Sequence, residues 1–285
     1  MKIGLLMPFT GYTANPAAFA RTAEALGFES IWIPEHPILP VNPKTLFPST
    51  KGPIPDVYAH MCDPFVALSM AAAVTTKLKV ATGICLVPER NAIVTAKEVA
   101  TLDAFSGGRF LFGIGAGWLR EESELLGVDF PRRWTQTAEY IAAMRELWSK
   151  PEASFEGKYV KFGPVRSNPK PVQQPGPPVL IGSLDKNALK RVAKWADGWC
   201  PIGVPHGYLK KQLEELRCEC DAVGRDFEKL DITAMGFVQG DRAGVQEGLD
   251  KYRDAGAHRF VIGVQTQLKP DKYEAELTRL ASLYV

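Results

Sequence analysis

No run of apolar residues in this sequence reaches the ~18 needed to cross a bilayer, so no membrane partner is expected. Charge of one sign is also scarce. Lys and Arg number 34 against 32 Asp and Glu, and the two signs alternate along the chain. A net +2 without a basic stripe lacks the electrostatic footprint of a nucleic-acid binder. Cysteine is sparse: Cys62, Cys85, Cys200, Cys218 and Cys220 make an odd set without framework spacing. Cys218 and Cys220 stand two apart on an expected helix, point to different faces and cannot share a metal. Reduced thiols in a cytoplasmic protein are expected. Zinc spacing, a P-loop and a triad order are all missing, so no metal site is expected. The N-terminal MKIGLLMPFTG has too short an apolar region for a signal peptide and no small-residue cleavage site; it reads as a first buried strand.

What is present is alternation. Short runs rich in β-branched residues alternate with longer segments of helical period, the signature of βαβ units and a parallel sheet. Strands are expected at Ile3–Met7, Ser30–Ile33, Val80–Cys85, Phe110–Gly115, Val179–Ile181, Trp199–Pro201, Ile232–Phe237 and Phe260–Ile262. The intervening segments carry apolar residues at helical spacing, as in Leu189, Val192, Ala193 and Ala196, so each helix has one face to lay on the sheet. Eight consecutive units in 285 residues fit a single α/β domain, a closed (β/α)8 TIM barrel spanning residues 1–285. An open doubly wound sheet is the rival architecture. Phe112 to Trp118, FGIGAGW, fails the dinucleotide fingerprint because the third glycine position is Trp118.

Two insertions break the rhythm. Residues 35–63, after strand 2, hold six prolines and no clear helix. Residues 150–177, before strand 5, hold six more around an expected hairpin at Phe155–Tyr159. Long irregular segments in a compact domain are commonly lids or binding loops. The first rises from the C-terminal face, where barrel active sites lie, and Phe47, Tyr58 and Met61 give it a partly apolar character. The second is read either as a lid or as a packing or dimer arm.

Chemistry in such a barrel sits just past each strand. Strand 2 runs into Glu35-His36, a carboxylate and an imidazole suited to hydrogen bonding or proton transfer, or to capping backbone groups. Gly83 within strand 3 marks a bulge or a close backbone approach, and Arg90 stands where it can meet an anion or lie in solvent. Gly113, Gly115 and Gly117 leave backbone that a flat ring can approach, with Trp118 to stack on it; tight barrel packing explains the same glycines. Gly182-Ser183 precedes a helix and suits phosphate, although Ser183 and Asp185 can equally cap that helix.

The stretch from Gly83-Ile84 to Arg90-Asn91, together with Ala96-Lys97, Ala100-Thr101-Leu102-Asp103, Ser106-Gly107-Gly108-Arg109-Phe110 and Gly113 to Trp118, resembles luciferase-like monooxygenases. Within that superfamily it is similar to the coenzyme F420-dependent oxidoreductase branch. Leu26-Gly27-Phe28 with Trp32 to His36, Asn168 to Val172, and Ala196-Asp197-Gly198-Trp199 extend the likeness over nearly the whole chain.

The resemblance implies a flavin-type ring at the C-terminal face, with Glu35 and His36 beside it. It implies a non-proline cis peptide at Gly83-Ile84 whose backbone supports the ring, and phosphate contacts from Gly182 and Ser183, with Arg90 and Lys186 as secondary candidates. Gly115, Gly117 and Trp118 complete the expected cofactor surface. The implied activity is hydride transfer between coenzyme F420 and a small organic substrate, in a homodimer. An FMN-dependent monooxygenase is the alternative, and a barrel that binds cofactor without catalysis is a second. Three departures stand out. Glu35 replaces the commoner Asp, Trp118 stands where related sugar-phosphate dehydrogenases place a glutamate, and Gly182 to Asp185 is poorer in glycine than the usual phosphate loop.

Overall fold

The structure, a computed structural model, describes residues 1–264 and 268–285. In chain order its elements are β1 (Lys2–Leu6), α1 (Pro16–Ala25), β2 (Ser30–Ile33), α2 (Pro64–Ala73), β3 (Lys79–Leu86), α3 (Ala92–Ser106), β4 (Phe110–Gly115), α4 (Arg120–Leu125), α5 (Arg133–Ser149), β5 (Ala153–Glu156) and β6 (Lys161–Val165). There follow β7 (Val179–Ile181), α6 (Ala188–Trp195), β8 (Gly198–Trp199), α7 (His206–Ala222), β9 (Asp231–Gly236), α8 (Arg242–Asp254), β10 (Arg259–Gly263) and α9 (Tyr273–Tyr284). Strands β1, β2, β3, β4, β7, β8, β9 and β10 close into a parallel barrel, β10 pairing back to β1 from Lys2 opposite Arg259 to Leu6 opposite Gly263. This is the expected (β/α)8 barrel. The fifth and sixth strands in sequence form a separate antiparallel hairpin outside it.

Helix starts follow from local chemistry. Asn15, Asp63, Asn91 and Asp241 cap α1, α2, α3 and α8 through their side chains, and prolines open α1 and α2. Strand alternation sorts the core into two shells. Ile31, Ile33, Phe110, Phe112 and Ile114 face the helices, whereas Trp32, Ala81, Leu111, Leu180, Met235 and Val261 fill the barrel interior. Trp32 dominates that interior. A Cβ on Gly113 would lie 2.2 Å from the Thr82 carbonyl oxygen and 3.2 Å from the Trp32 ring, so this position admits no side chain. The floor of the barrel is polar. Arg259, with no solvent exposure, bonds Glu29, Asp231 and Thr233.

Two expectations are corrected. The sixth barrel strand is only Gly198–Trp199; beyond it, pairing continues as single bonds of Cys200 and Pro201 and an isolated bridge from Ile202 to Met235. The expected helix start at Ser183–Asp185 moves to Ala188, with Asp185 accepting from the Asn187 amide in the preceding turn. The two-way reading of residues 150–177 also resolves. The β5–β6 turn rests on α5, where Glu139 accepts from the Tyr159 and Val160 amides. Gln173 then bonds Asp103 and the Phe110 carbonyl at the N-terminal end of β4. The segment packs on the side and bottom of the barrel, and none of its residues lines the cleft at the top.

Candidate active site

A cavity of about 1000 Å³ opens at the C-terminal ends of the strands. Its walls come from Pro34 to His36 after β2, from Val57, Tyr58 and Met61 of the long loop, from Gly83 and Ile84 of β3, and from Trp118 and Gly182 after β4 and β7. The far side is built from the turns after β8 and β9 and one face of α8, including His206, Gln239, Glu247, Lys251 and Tyr252. The cleft includes the loop after β2 and the β3 bulge and extends around the barrel to α8.

β2 delivers the two expected side chains in different directions. His36 faces the cleft and is only 7% exposed. Its Nδ1 lies 2.7 Å from Oε2 of Glu122, a fully buried residue of α4. Around the imidazole stand Tyr58 and Trp118, with ring centroids at 4.8 and 5.4 Å, and Phe47 packs edge-on against both. Edge-to-face pairs of this kind each contribute roughly 0.5–1.5 kcal/mol beyond area burial. They also surround the second ring nitrogen, Nε2, which has no hydrogen-bond partner among the described residues.

Glu35 turns sideways. One of its oxygens accepts from the Leu86 amide at 2.7 Å and the other from Arg90. Arg90 also reaches Asp63 and Glu98 and lies over the Phe65 ring. Burial opposes its charge, but the Glu35 carboxylate and its neighbours outweigh that and raise the Arg90 pKa above its ordinary value. The expectation that Arg90 meets an anionic ligand is corrected on this geometry. Three carboxylates occupy the guanidinium, and it does not line the cleft.

The β3 bulge falls between Thr82 and Cys85, and the Gly83–Ile84 peptide bond is cis, as the resemblance implies. The Ile84 side chain inserts between two neighbours. A Cβ on Gly115 would come within 2.2 Å of it and a Cβ on Gly182 within 2.6 Å. Gly115 therefore serves Ile84 and lies outside the cleft lining. Gly117 is likewise outside it. Its φ is +80°, and a Cβ there would meet Glu89 Oε1 at 2.5 Å. The cofactor-surface reading thus passes from Gly115 and Gly117 to Gly83, Ile84 and Gly182, the members that line the cleft. Ser183 is absent from the lining too. Its hydroxyl bonds Asp185, which also accepts twice from Arg191, and Lys186 is exposed. Ser183 stays within the turn before α6, where its hydroxyl also accepts from the Asp185 amide, and does not cap that helix.

Two residues that sequence reasoning misses are buried acids. Glu122 looks like part of a solvated acidic helix start, Arg120-Glu121-Glu122-Ser123, and only the loop folding over α4 buries it. Glu89 accepts from Ser123 Oγ at 2.6 Å, and its second oxygen is buried without a partner. Burial, together with the Glu122 and Glu35 charges and against the Ser123 hydrogen bond, pushes its pKa up to about 8. Three thiols are poor nucleophiles: burial raises Cys62 to about 11 and also pushes Cys85 and Cys200 well above the ordinary thiol value. Among the described residues no cluster of His, Cys, Asp or Glu suits a metal, and no helix is long and apolar enough to cross a membrane.

The residues present fit a flat tricyclic cofactor. Gly83, Ile84 and Gly182 form a bed without projecting polar side chains, Leu6 and Val264 flank it, and the cavity exceeds the size of one ring system.

Comparison with known proteins shows the family and the fold. The family model described as luciferase-like monooxygenase matches residues 1–282. An uncharacterised protein of Mycobacterium tuberculosis is 43% identical over 288 residues, covering 99% of this chain and 98% of that one. The structure of the coenzyme F420-dependent tetrahydromethanopterin reductase from Methanopyrus kandleri superposes with a TM-score of 0.75 at 19% identity, covering 100% of this chain and 97% of that one. The monooxygenase RslO1 from Streptomyces bottropensis gives 0.75 at 20% identity, covering 99% and 98%. At these identities the two structures speak for the fold.

Proposed function

This chain belongs to the luciferase-like monooxygenase family, and we propose that within it the protein is a hydride-transfer oxidoreductase using coenzyme F420 and a small organic substrate. The observation that carries the reading is the pairing of an apolar, flat bed at Gly83, Ile84 and Gly182 with one unbonded imidazole nitrogen, Nε2 of His36, across the cleft. When bound, a deazaflavin supplies the hydride-carrying ring carbon, and the protein supplies orientation.

The chain's own residues divide that task. Gly83, Ile84 and Gly182 support the ring face. Trp118 and Tyr58 wall the substrate side, with Phe47 packed against both. His36 Nε2 is the polar contact for the substrate atom that gains or loses a proton. Glu35 holds the β2 and β3 ends together through Leu86 and Arg90, so it shapes the bed without reacting.

The family's description favours a second reading, in which reduced FMN occupies the same bed and oxygen is the co-substrate. Oxygen uptake separates the two. With reduced FMN supplied, the hydride-transfer reading expects no uptake above the rate of free reduced flavin; rapid protein-dependent uptake overturns it.

A further inference from the structure

We infer that Glu122 is the positioning residue of this site: its carboxylate holds the Nδ1–H of His36, so that the cleft-facing Nε2 is a hydrogen-bond acceptor matched to a ligand that brings an O–H donor. The inference rests on the reading that His36 meets the substrate, and it specifies which ligand atoms His36 can meet.

The geometry runs through α4. Glu122 is fully buried, and its two oxygens face two groups: His36 Nδ1 at 2.7 Å and the Ile38 amide at 3.4 Å. An ionised carboxylate only accepts, so it assigns the proton of the neutral ring to Nδ1. In a histidine the hydrogen bond made by one nitrogen fixes the state of the other. Nε2 therefore carries a lone pair into the aromatic pocket of Tyr58 and Trp118.

The competing arrangement is a protonated Glu122 that donates to Nδ1 and leaves Nε2–H as a donor. The acid cluster speaks against it. Glu89, after β3, lies within reach of the charges of Glu122 on α4 and of Glu35 after β2, and Arg90 is the cation paired with Glu35. Arg90 and the Leu86 amide satisfy Glu35, and the ring and the Ile38 amide satisfy Glu122. Glu89 keeps an oxygen with no partner, buried, and an ionised oxygen left unpaired there is costly. Glu89 is thus the member that holds the proton. Its contact with Ser123, the residue after Glu122, places that neutral acid beside the ionised one.

The consequence is chemical selectivity. The aromatic half of the cleft offers an acceptor at Nε2, so alcohols and other hydroxyl-bearing compounds fit it in the resting state. Ligands that carry only acceptors meet a donor at Nε2 only on the imidazolium and otherwise turn to the Tyr58 hydroxyl or the Trp118 indole N–H.

The test reads the ring itself, in the full chain without cofactor. Histidine side-chain ¹⁵N–¹H correlation spectra over a pH series report which nitrogen of each neutral ring is protonated, and the His36→Gln variant assigns the signal. His258 is an internal control, because its Nδ1 accepts from the Ile232 amide and its proton must sit on Nε2. The wild-type chain is expected to show the Nδ1–H form at His36, and an Nε2–H form overturns the inference without any variant. In Glu122→Leu, with the His258 signal unchanged as evidence of folding, His36 is expected to move to the Nε2–H form. Retention of Nδ1–H in that folded variant also overturns it. Neither result depends on turnover, so a failure here is distinct from a failure of the hydride-transfer reading.

Discussion

Arg90 clamps Glu35: its guanidinium takes one carboxylate oxygen while the Leu86 amide takes the other at 2.7 Å. The pair ties the ends of β2 and β3 together directly beneath the cleft. Because Glu35 is 3% exposed, removing its cation leaves a buried charge unpaired. Arg90→Met is expected to cost about 3–5 kcal/mol of stability in denaturant unfolding. Adding Glu35→Gln should restore a large part of that loss. An Arg90→Met protein of unchanged stability that no longer binds phosphate-bearing cofactor would instead return Arg90 to the role of anion ligand.

Gly113 and Gly115 make a matched pair of probes. A methyl at 113 meets the Thr82 carbonyl, part of the rigid barrel, whereas one at 115 meets the terminal carbon of Ile84, which can swing. Gly113→Ala should therefore destabilise by several kcal/mol, at or beyond the upper end of the ~1–3 kcal/mol typical of overpacking. Gly115→Ala should cost less stability but move Ile84 and weaken cofactor binding. Thermal melts and binding titrations on the two variants check this ordering, and the reverse ordering contradicts it.

How far the sequence carries the structure can be judged residue by residue. β2 and β4 are readable to their ends because apolar runs rich in β-branched or aromatic residues stop at clear breaks, Pro34 for one and the glycine run for the other. The regular part of β8 ends at Trp199, although Cys200 and Pro201 stay buried and keep single backbone bonds, the Cys200 amide to the Ile181 carbonyl and the Met235 amide to the Pro201 carbonyl, so the sequence reads as a longer strand. The positions of His36 and Glu35 follow from their place after β2. Their partners do not, since Glu122 lies 86 residues from His36 and Arg90 lies 55 from Glu35, distances that only the closed barrel brings together. The glycines at 115 and 117 are ambiguous in sequence for the same reason: what fills their missing side chains is Ile84 and Glu89.

Glu89 makes stability depend on pH in a stated direction. Its carboxyl holds a proton in the folded chain up to about pH 8, whereas the ordinary value is 4.5. Between those values the folded state binds more protons than the unfolded one, so this group makes stability fall as pH rises through the window. Its contribution is level below pH 4.5 and again above about 8. At about 1.4 kcal/mol per pKa unit the effect amounts to a few kcal/mol. Glu89→Gln should flatten that slope and be more stable than wild type near the upper end. An unchanged slope in chemical denaturation at several pH values contradicts the assignment.

His36→Ala removes the cleft-facing imidazole nitrogen. Turnover should fall roughly 100-fold or more, the scale of a lost acid/base contact, while cofactor affinity changes only a few-fold. Equal turnover, or a loss accounted for wholly by cofactor affinity, removes His36 from the reaction.

The central claim is that the bed formed by Gly83, Ile84 and Gly182 takes a deazaflavin. Its most direct test is titration of the purified protein with coenzyme F420 and with FMN in parallel, followed by cofactor fluorescence. Saturable binding of coenzyme F420 is expected at concentrations where FMN shows little. Selective binding of FMN, with coenzyme F420 excluded, would contradict it.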